Sequence, residues 1–345
     1  MLEKATACGV RLRPHFKTHQ SIDIGRWFAQ DGVDAIAVSS VAMAEYFSEG
    51  GWRDITIAFP VNVREMKRID RLAEVASPGC LVESVEAVLA LHAGLSHNVD
   101  IWLKVDTGYG RTGVPWDDTS SFDHIIEEVK KSPRLTARGL LTHAGHSYAA
   151  DTTDEIVAVN AQTVTRMTEL RDQLAPEAGD LEISIGDTPC CSVANDFDGV
   201  DEMRPGNFVF YDVMQSALGS CTHAQIAVAL ACPVVAVHEK RNEIVVHGGA
   251  IHLSKEHLLN ADGSRMFGQV VTMDDNGWGP PIDGAYMGSL SQEHGVISAP
   301  KDLIERTEIG DLLGVLPVHS CLTANLMGGY TTLDGNLIDH MSCST

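Results

Sequence analysis

The sequence lacks paired cysteines, long apolar runs and an excess of basic residues. Its 8 cysteines among 345 residues form no C-x-x-C pair, which argues against a disulfide framework or a zinc finger. The 25 Lys and Arg residues face 47 Asp and Glu residues, and the net charge of −22 disfavours binding to nucleic acids and anionic membranes. No apolar stretch is long enough for a membrane span, and the first residues do not form a secretory signal. We therefore expect a cytoplasmic protein with a small-molecule partner.

The composition, 44% hydrophobic and 21% charged residues, is that of a folded protein, and the length favours two domains. Over the first 215 residues, short β-branched segments alternate with helix-period segments, which is typical of βα units around a parallel sheet. The eight predicted strands are Arg11 to Thr18, Ala35 to Ser39, Ile55 to Phe59, Leu81 to Ser84, Ile101 to Asp106, Arg138 to His143, Leu181 to Gly186 and Phe208 to Asp212. Eight strands close a TIM barrel, so we predict a (β/α)8 barrel over residues 1–219.

The pattern changes after Gly219. The stretch AQIAVALACPVVAVHEKRNEIVVHGGAIHL and the later GQVVTM are typical of antiparallel strands and hairpins rather than of further βα units. We therefore predict a second, mostly antiparallel β domain over residues 220–345.

Polar side chains cluster at the ends of the predicted strands, where barrel enzymes place their working residues. The first strand ends in RPHFKTH, which contains Lys17. A lysine at this inner end, crowded by Arg13, His15 and His19, could have a lowered pKa and serve as an amine that forms imines. The alternative is an ordinary surface lysine. His15 and His19 either orient Lys17 or are simply hydrogen-bonded near the barrel mouth.

The turn Gly186-Asp187-Thr188 follows the seventh predicted strand and precedes a short helical stretch. Backbone N–H groups and a helix N-terminus at this place form the usual phosphate site of a barrel. The alternative is a simple helix N-cap.

Near the C-terminus, His319 and Cys321 lie two residues apart after an apolar run. On an extended segment both side chains share one face, and an imidazole with a thiolate suits zinc better than magnesium or calcium. Two ligands do not complete a metal site, and a buried structural cysteine beside an incidental histidine remains the alternative.

Three further pairs carry polar or reactive groups. Cys190 and Cys191 are adjacent, and because adjacent cysteines rarely close a disulfide we expect them to pack as ordinary core residues. The pairs Asp274–Asp275 and Glu293–His294 could supply acid or base groups, although a solvated loop is the simpler role for the first.

Taken together, the motifs resemble the fold-type III pyridoxal-phosphate (PLP) enzymes related to alanine racemase, in the branch that contains D-serine dehydratase and D-threonine aldolase. RPHFKTH resembles the PLP-lysine segment of that branch, KVDTGYGRTGV and HAGHSY resemble two strand-end motifs, and IGDTP resembles the phosphate turn. RPGNFVFYD resembles the last barrel strand and LPVHSCLTANL the C-terminal metal motif. The matches follow the family's order across about 310 residues.

This resemblance implies a role for each matching residue. Lys17 would form the imine with PLP, Arg111 would lie near the cofactor ring, and Tyr148 would lie near the pyridine nitrogen. His319 and Cys321 would bind zinc, or manganese or magnesium in an aldolase. The full cofactor-binding set that the resemblance implies is Lys17, His15, Arg111, Tyr148, Gly186, Asp187, Thr188 and Tyr211.

The start of the chain departs from the family pattern. Family members usually carry a strand and a helix ahead of the lysine segment, whereas here only Met1 to Val10 precede it. We expect a shortened barrel start, arising from a truncated product or a misassigned first Met.

The activity that the resemblance implies is removal of water and then ammonia from a β-hydroxy-D-amino acid, leaving a 2-oxo acid. D-Serine, D-threonine and 3-hydroxyaspartate all fit. Lys17, His319 and Cys321 would be the catalytic residues: Lys17 would take the α proton, and the metal would activate the β-hydroxyl. The alternative is retro-aldol cleavage to glycine and an aldehyde, as in D-threonine aldolase. Cys321 favours the dehydratase, because aldolases of the branch tend to place a carboxylate at that position.

Two other hypotheses remain. A non-catalytic PLP-binding protein would have neither a β domain nor a metal motif, so the sequence argues against it. A racemase would need a second base on the opposite face of the ring, for which Tyr286 is the candidate. Because members of this family are usually dimers, the resemblance also implies a homodimer.

Overall fold

The computed structural model describes residues 1–343 of the chain. These residues form two compact units. The first consists of Met1–Lys17 and Ile22–Gly206, and the second consists of Thr18–Ser21 and the chain from Asn207 onward. The predicted boundary at residue 219 lies inside the second unit.

The first unit is a parallel barrel, as predicted. Its strands are β1 (Arg11–Leu12), β2 (Ala35–Val38), β3 (Asp54–Pro60), β4 (Ser77–Val82), β5 (Val99–Asp106), β6 (Val114–Pro115), β7 (Leu135–Leu141), β8 (Glu182–Ile185) and β9 (Glu202–Met203). Eight of them pair in the order β1-β9-β8-β7-β5-β4-β3-β2, and β6 pairs with the end of β5. The Phe16 N–H donates to Ala37 O at 2.8 Å, and the Ala37 N–H donates to Pro14 O at 3.0 Å. These bonds join the residues after β1 to β2, which closes the circle.

Helices accompany the barrel strands; the first helix precedes β1 and the others connect successive strands. They are α1 (Leu2–Ala7), α2 (Ile22–Gln30), α3 (Val41–Glu49), α4 (Met66–Ala73), α5 (Val85–Gly94), α6 (Thr119–Lys130), α7 (Thr153–Ala178) and α8 (Thr188–Val193). Ser40, Ser84 and Thr152 each accept a hydrogen bond from a backbone N–H in the first turn of α3, α5 and α7. These caps satisfy N–H groups that the helix itself cannot pair, so they fix where the helices begin.

The predicted eighth strand, Phe208 to Asp212, is wrong. Asn207–Val209 form a 3-10 turn, and Tyr211 has a left-handed backbone with φ of 50°. The last barrel strand is instead β9, which has only two residues, and its Glu202 is a fully buried acid. A strand this short with a charged residue gives no apolar pattern. The first predicted strand also ends early, at Leu12, although the Arg13 N–H still donates to Met203 O at 2.9 Å and the His15 N–H to Pro205 O at 2.9 Å.

A buried ionic cluster fills one end of the barrel interior. The Arg13 side chain is fully buried and donates to Glu202 at 2.7 Å and to Asp54 at 2.7 Å. Arg138 donates to the same Asp54 at 3.2 Å. The charge of Arg13 is therefore neutralised by two carboxylates, and the predicted crowding of Lys17 by Arg13 stays a prediction. Removing one partner from such a cluster would leave a buried charge unpaired, which is strongly destabilising.

The second unit is built on an antiparallel sheet, which confirms the predicted β domain. Its strands are β10 (Leu230–His238), β11 (Glu243–His247), β12 (Leu258–Leu259), β13 (Arg265–Met266), β14 (Gly268–Asp274), β15 (Gly277–Leu290), β16 (His294–Ser298), β17 (Leu312–Pro317), β18 (Tyr330–Thr331) and β19 (Leu337–Ile338). Six of them form a closed barrel in the order β10-β11-β16-β15-β14-β17, while β12–β13 and β18–β19 are separate pairs. Alternate residues of β10 point inward, as the two-residue period of a strand requires. They pack with the inward residues of β11 and β17 in one apolar core.

Four helices accompany this sheet: α9 (Val213–Ala217), α10 (Ala250–Leu253), α11 (Lys301–Arg306) and α12 (Ser320–Met327). Across residues 1–343, none of the helices combines the length and the apolar character that crossing a bilayer requires.

Candidate active site

Lys17 lies at the carboxyl-terminal mouth of the first barrel. It follows the segment that closes the barrel, and its own N–H donates to His15 Nδ1 at 3.3 Å. Phe16 is fully buried and packs edge-on against Trp52, with ring centroids 5.1 Å apart. Phe16 thus anchors the start of the turn that carries Lys17. The Lys17 side chain is exposed at this mouth.

The turn Gly186-Asp187-Thr188 connects β8 to α8, as the sequence predicts. Asp187 caps α8, since its carboxylate accepts from Cys190 N–H at 2.7 Å and from the Ser147 hydroxyl at 2.9 Å. The Asp187 side chain is thus occupied in holding the turn, and its backbone is the part available to a ligand. Both the phosphate prediction and the N-cap alternative are compatible with this arrangement.

Gly186 passes too close to Arg204 for any larger residue. A Cβ at Gly186 would lie 2.9 Å from Arg204 Cβ and 3.0 Å from Arg204 O. Arg204 is buried, and its Nη2 donates to Thr142 O at 2.6 Å. Within residues 1–343, Nε and Nη1 of Arg204 find no hydrogen-bond partner. Buried N–H groups are rarely left without an acceptor, so these two donors fit a ligand that brings acceptors.

His143 is a site residue that the sequence analysis did not single out. Its Nδ1–H donates to the Gly186 carbonyl, which links the segment after β7 to the turn after β8. Burial, together with the positive charges of Lys17 and Arg111, lowers the pKa of His143 to about 3. The imidazole is therefore neutral, and because Nδ1 donates, Nε2 keeps its lone pair.

Lys104 is a second lysine at the barrel's carboxyl end, on β5. It is buried, and its Nζ donates to Val105 O at 2.8 Å. Burial and the nearby charge of Arg204 lower the pKa of Lys104 to about 8. A buried amine that loses its proton so readily competes chemically with Lys17 as an imine former, and sequence reasoning missed it because its burial depends on the closed barrel.

Arg111 and Tyr148 lie in the loops after β5 and β7. The Arg111 guanidinium stacks 5.1 Å from the centroid of the Tyr109 ring. The Thr188 N–H donates to the Tyr148 hydroxyl at 3.4 Å, so this tyrosine lies at the predicted phosphate turn. Its predicted contact with the pyridine nitrogen stays a prediction.

In the second unit, the structure brings His319 and Cys321 together. Burial lowers the pKa of His319, but the hydrogen bond to Cys321 and the negative charges around it outweigh burial and raise the pKa overall. The two donor atoms are thus within hydrogen-bonding reach of each other at the start of α12. An imidazole nitrogen and a thiol sulfur form a donor set that fits zinc.

A shell of polar side chains surrounds Cys321. The Thr18 hydroxyl lies 3.2 Å from Cys321 Sγ, and Asn207 Nδ2 lies 3.6 Å from the same sulfur. Asn207 also donates to Asp212 at 2.6 Å, and Asp212 accepts the Ser320 N–H at 3.0 Å. Such contacts orient metal ligands and tune their charge. Sequence reasoning missed this shell, although Thr18 and Asn207 lie within the motifs RPHFKTH and RPGNFVFYD.

The other predicted residues have ordinary surroundings. Tyr211 packs against an apolar cluster of the second unit, and its cofactor contact stays a prediction. The Tyr286 hydroxyl lies 3.2 Å from the Ser264 hydroxyl. Cys190 and Cys191 are both buried free thiols, and burial raises the pKa of Cys191 to about 12. They pack as core residues, as expected.

Comparison with known protein families gives a match for each of the two units. Residues 1–213 match the family described as alanine racemase, N-terminal domain, and residues 227–333 match the putative serine dehydratase domain. D-threo-3-hydroxyaspartate dehydratase from Delftia sp. is 29% identical over 98% of this chain and 91% of its own. D-serine dehydratase from Dictyostelium discoideum is 28% identical over 97% of this chain and 89% of its own.

Solved structures agree with this placement. The Delftia dehydratase superposes with a TM-score of 0.90 at 27% identity, covering 98% of this chain and 92% of its own. Another similar structure is of a D-threo-3-hydroxyaspartate dehydratase, as a cysteine-to-alanine mutant in the metal-free form. D-threonine aldolase from Filomicrobium marinum shares the fold, with a TM-score of 0.85 at 19% identity over all of this chain and 92% of its own. The chain therefore belongs to the alanine racemase N-terminal domain family, and with its serine dehydratase domain it is a PLP-dependent lyase of fold type III.

Proposed function

We propose that this lyase is a zinc-dependent dehydratase of β-hydroxy-D-amino acids, resembling D-serine dehydratase. The pairing of His319 with the Cys321 thiol carries this proposal. A thiolate is a soft ligand that suits zinc, whereas the manganese or magnesium of the alternative aldolase prefers carboxylates. The named relatives include dehydratases of D-serine and of D-threo-3-hydroxyaspartate.

The residues around the barrel mouth fit PLP. Lys17 offers an amine for the aldehyde carbon, and the Gly186-Asp187-Thr188 turn lies at the start of α8, a position that suits a phosphate group. The two unpaired donors of Arg204 beside Gly186 favour a ligand with acceptor atoms. When bound, PLP withdraws electrons from the substrate α carbon, and zinc on His319 and Cys321 supplies a Lewis acid for the leaving hydroxyl.

The chain's own groups then have defined tasks. Lys17 Nζ takes the α proton as general base. The Cα–H electrons form the Cα–Cβ double bond and the Cβ–O bond breaks, so that the proton taken from Cα and the hydroxide lost from Cβ together make up the water that is removed. The enamine product takes up water and releases ammonia, giving the 2-oxo acid. His143, held neutral and fixed by its bond to Gly186, keeps a lone pair at this mouth without adding positive charge.

The aldolase alternative is kept because one named relative, from Paracoccus denitrificans, is a 3-hydroxy-D-aspartate aldolase at 24% identity over 96% of this chain and 83% of its own. In that reaction a base takes the β-hydroxyl proton and the Cα–Cβ bond breaks instead.

D-Threonine distinguishes the two reactions. The protein, loaded with PLP and zinc, is incubated with D-threonine and the products are identified by chromatography. Ammonia with 2-oxobutanoate supports the dehydratase, and glycine with acetaldehyde overturns it. D-Serine and 3-hydroxyaspartate, tested in parallel, rank the substrates. A homodimer in the cytoplasm belongs to the same proposal, and light scattering of the purified protein tests the dimer.

A further inference from the structure

A cluster of two imidazoles and a carboxylate lies on the second unit, formed by residues other than His319 and Cys321. His247 ends β11, His252 lies on α10, and Glu293 lies in the turn between β15 and β16. One donor atom from each side chain lies within 4.8 Å of the other two. The separation of His247 Nε2 and Glu293 Oε2 is 3.3 Å.

The backbone fixes the segments that carry these side chains. The Gly248 N–H donates to Glu293 O at 3.0 Å, and the Ala250 N–H donates to Ser291 O at 2.8 Å. A Cβ at Gly249 would lie 2.3 Å from Gln292 O, so only glycine permits this approach. The loop before α10 and the β15–β16 turn are therefore held against each other, and their side chains are brought together before any ligand arrives.

The spacing and the donor types suit a transition-metal ion. Ligands about 2.1 Å from a tetrahedral zinc lie about 3.4 Å from one another, which matches the separation of His247 and Glu293. The His247 and His252 rings meet edge to face, with centroids 5.2 Å apart. The side chains of His247 and Glu293 are 57% and 46% exposed, so water can fill a fourth position.

One hydrogen bond competes with metal binding. His252 Nδ1 accepts the Gly249 N–H at 3.1 Å, and a metal ion that coordinates His252 must displace this bond or turn the ring. The site should therefore bind zinc less tightly than a closed structural site with four protein ligands.

We propose that His247, His252 and Glu293 form a second metal site, which takes a divalent transition-metal ion such as Zn²⁺. Imidazole ligands favour Zn²⁺, Cu²⁺ and Ni²⁺ over Mg²⁺ and Ca²⁺. Bound metal ties the end of β11 to α10 and to the β15–β16 turn, and so stabilises this edge of the second unit. The inference does not depend on the reaction that the enzyme catalyses.

Zinc titration of the full chain tests the site. The protein is freed of metal with a chelator, and Zn²⁺ alone is titrated in a calorimeter. We expect two binding events for the wild type, and C321A keeps only the event that belongs to the new site. H252A and the conservative E293Q weaken this event by about tenfold or more. H124A removes an exposed histidine of the first unit and serves as the matched control, with both events unchanged.

Circular dichroism establishes that each variant is folded. The proposal is overturned if H252A and E293Q bind zinc as the wild type does, or if C321A binds none. A wild type with one event that survives C321A but disappears in H252A would support the new site while contradicting zinc on Cys321. The two metal assignments therefore fail separately.

Discussion

The Thr18 hydroxyl lies 3.2 Å from the sulfur of Cys321. Thr18 also follows Lys17 directly in the sequence. One peptide bond therefore separates the residue predicted to hold the cofactor from a residue that touches a predicted metal ligand. A hydroxyl that donates to a thiolate stabilises its negative charge, so Thr18 should help Cys321 to bind metal.

Replacing Thr18 by Val keeps the β-branched shape and removes the hydroxyl. We expect zinc affinity at Cys321 to fall about tenfold, the lower end of the usual effect of contacts behind a metal ligand. T18S, which keeps the hydroxyl, should remain close to the wild type. Competition with a chromophoric chelator measures both variants. An unchanged affinity in T18V would show that the hydroxyl does not support the ligand.

Gly186→Ala tests the close approach at the phosphate turn. The added Cβ would lie 2.9 Å from Arg204 Cβ, so the turn or Arg204 must move. We expect a loss of stability of about 1–3 kcal/mol together with weaker PLP binding, measured by urea unfolding and by fluorescence titration. Gly329→Ala is the control, since its Cβ would meet nothing within 4 Å and should change stability by less than about 0.5 kcal/mol. Equal behaviour of the two variants would contradict the tight turn.

Two histidines, His19 which is buried and His143 which is half-buried, should make the protein sensitive to acid. Burial lowers the pKa of His19 and of His143 to about 3, from an ordinary value of 6.5. Both are neutral in the folded chain but become protonated in the unfolded chain below pH 6.5, so stability is full above that value and falls as the pH drops towards 3. When the pH falls from about 7.5 to about 5.5, we expect the two histidines together to lower the free energy of unfolding by about 3 kcal/mol.

Urea unfolding across this pH range measures the loss. H143N keeps a donor for the Gly186 carbonyl but does not titrate, so its loss should be about half that of the wild type. The same pH slope in H143N and the wild type would mean that His143 is not the neutral group described above.

The sequence predicts the helices and most barrel strands well because their determinants are local. Ser40 and Ser84 cap helices that begin where the apolar periodicity begins. The last strand is missed because its pairing depends on distant residues: Glu202 is buried only because Arg13, far away in the chain, neutralises it. The apolar residues after Asn207 instead pack in the second unit. Their sequence has the apolar pattern of a strand, but they do not form one.

The residues of the candidate site also divide into those that the local sequence reveals and those that depend on distant parts of the chain. Lys17, the Gly186–Thr188 turn and His319 with Cys321 stand in short motifs and are found from the sequence. His143, Lys104 and Arg204 gain their character from burial inside the closed barrel, where solvent is removed and neighbouring charges act. The sequence does not show which residues are buried or which charges lie near them, so these residues are identified only in the structure.

Chemical identification of the lysine that binds PLP shows whether Lys17 holds the cofactor. The PLP-loaded protein is reduced with borohydride, digested, and analysed by tandem mass spectrometry, which locates the pyridoxyl group on the chain. Lys104, the buried lysine whose pKa falls to about 8, is the natural competitor. We expect the label on Lys17 in the wild type and its loss in K17A. A label on Lys104 in the wild type, or one that persists on another lysine in K17A, would contradict the assignment of the cofactor to Lys17.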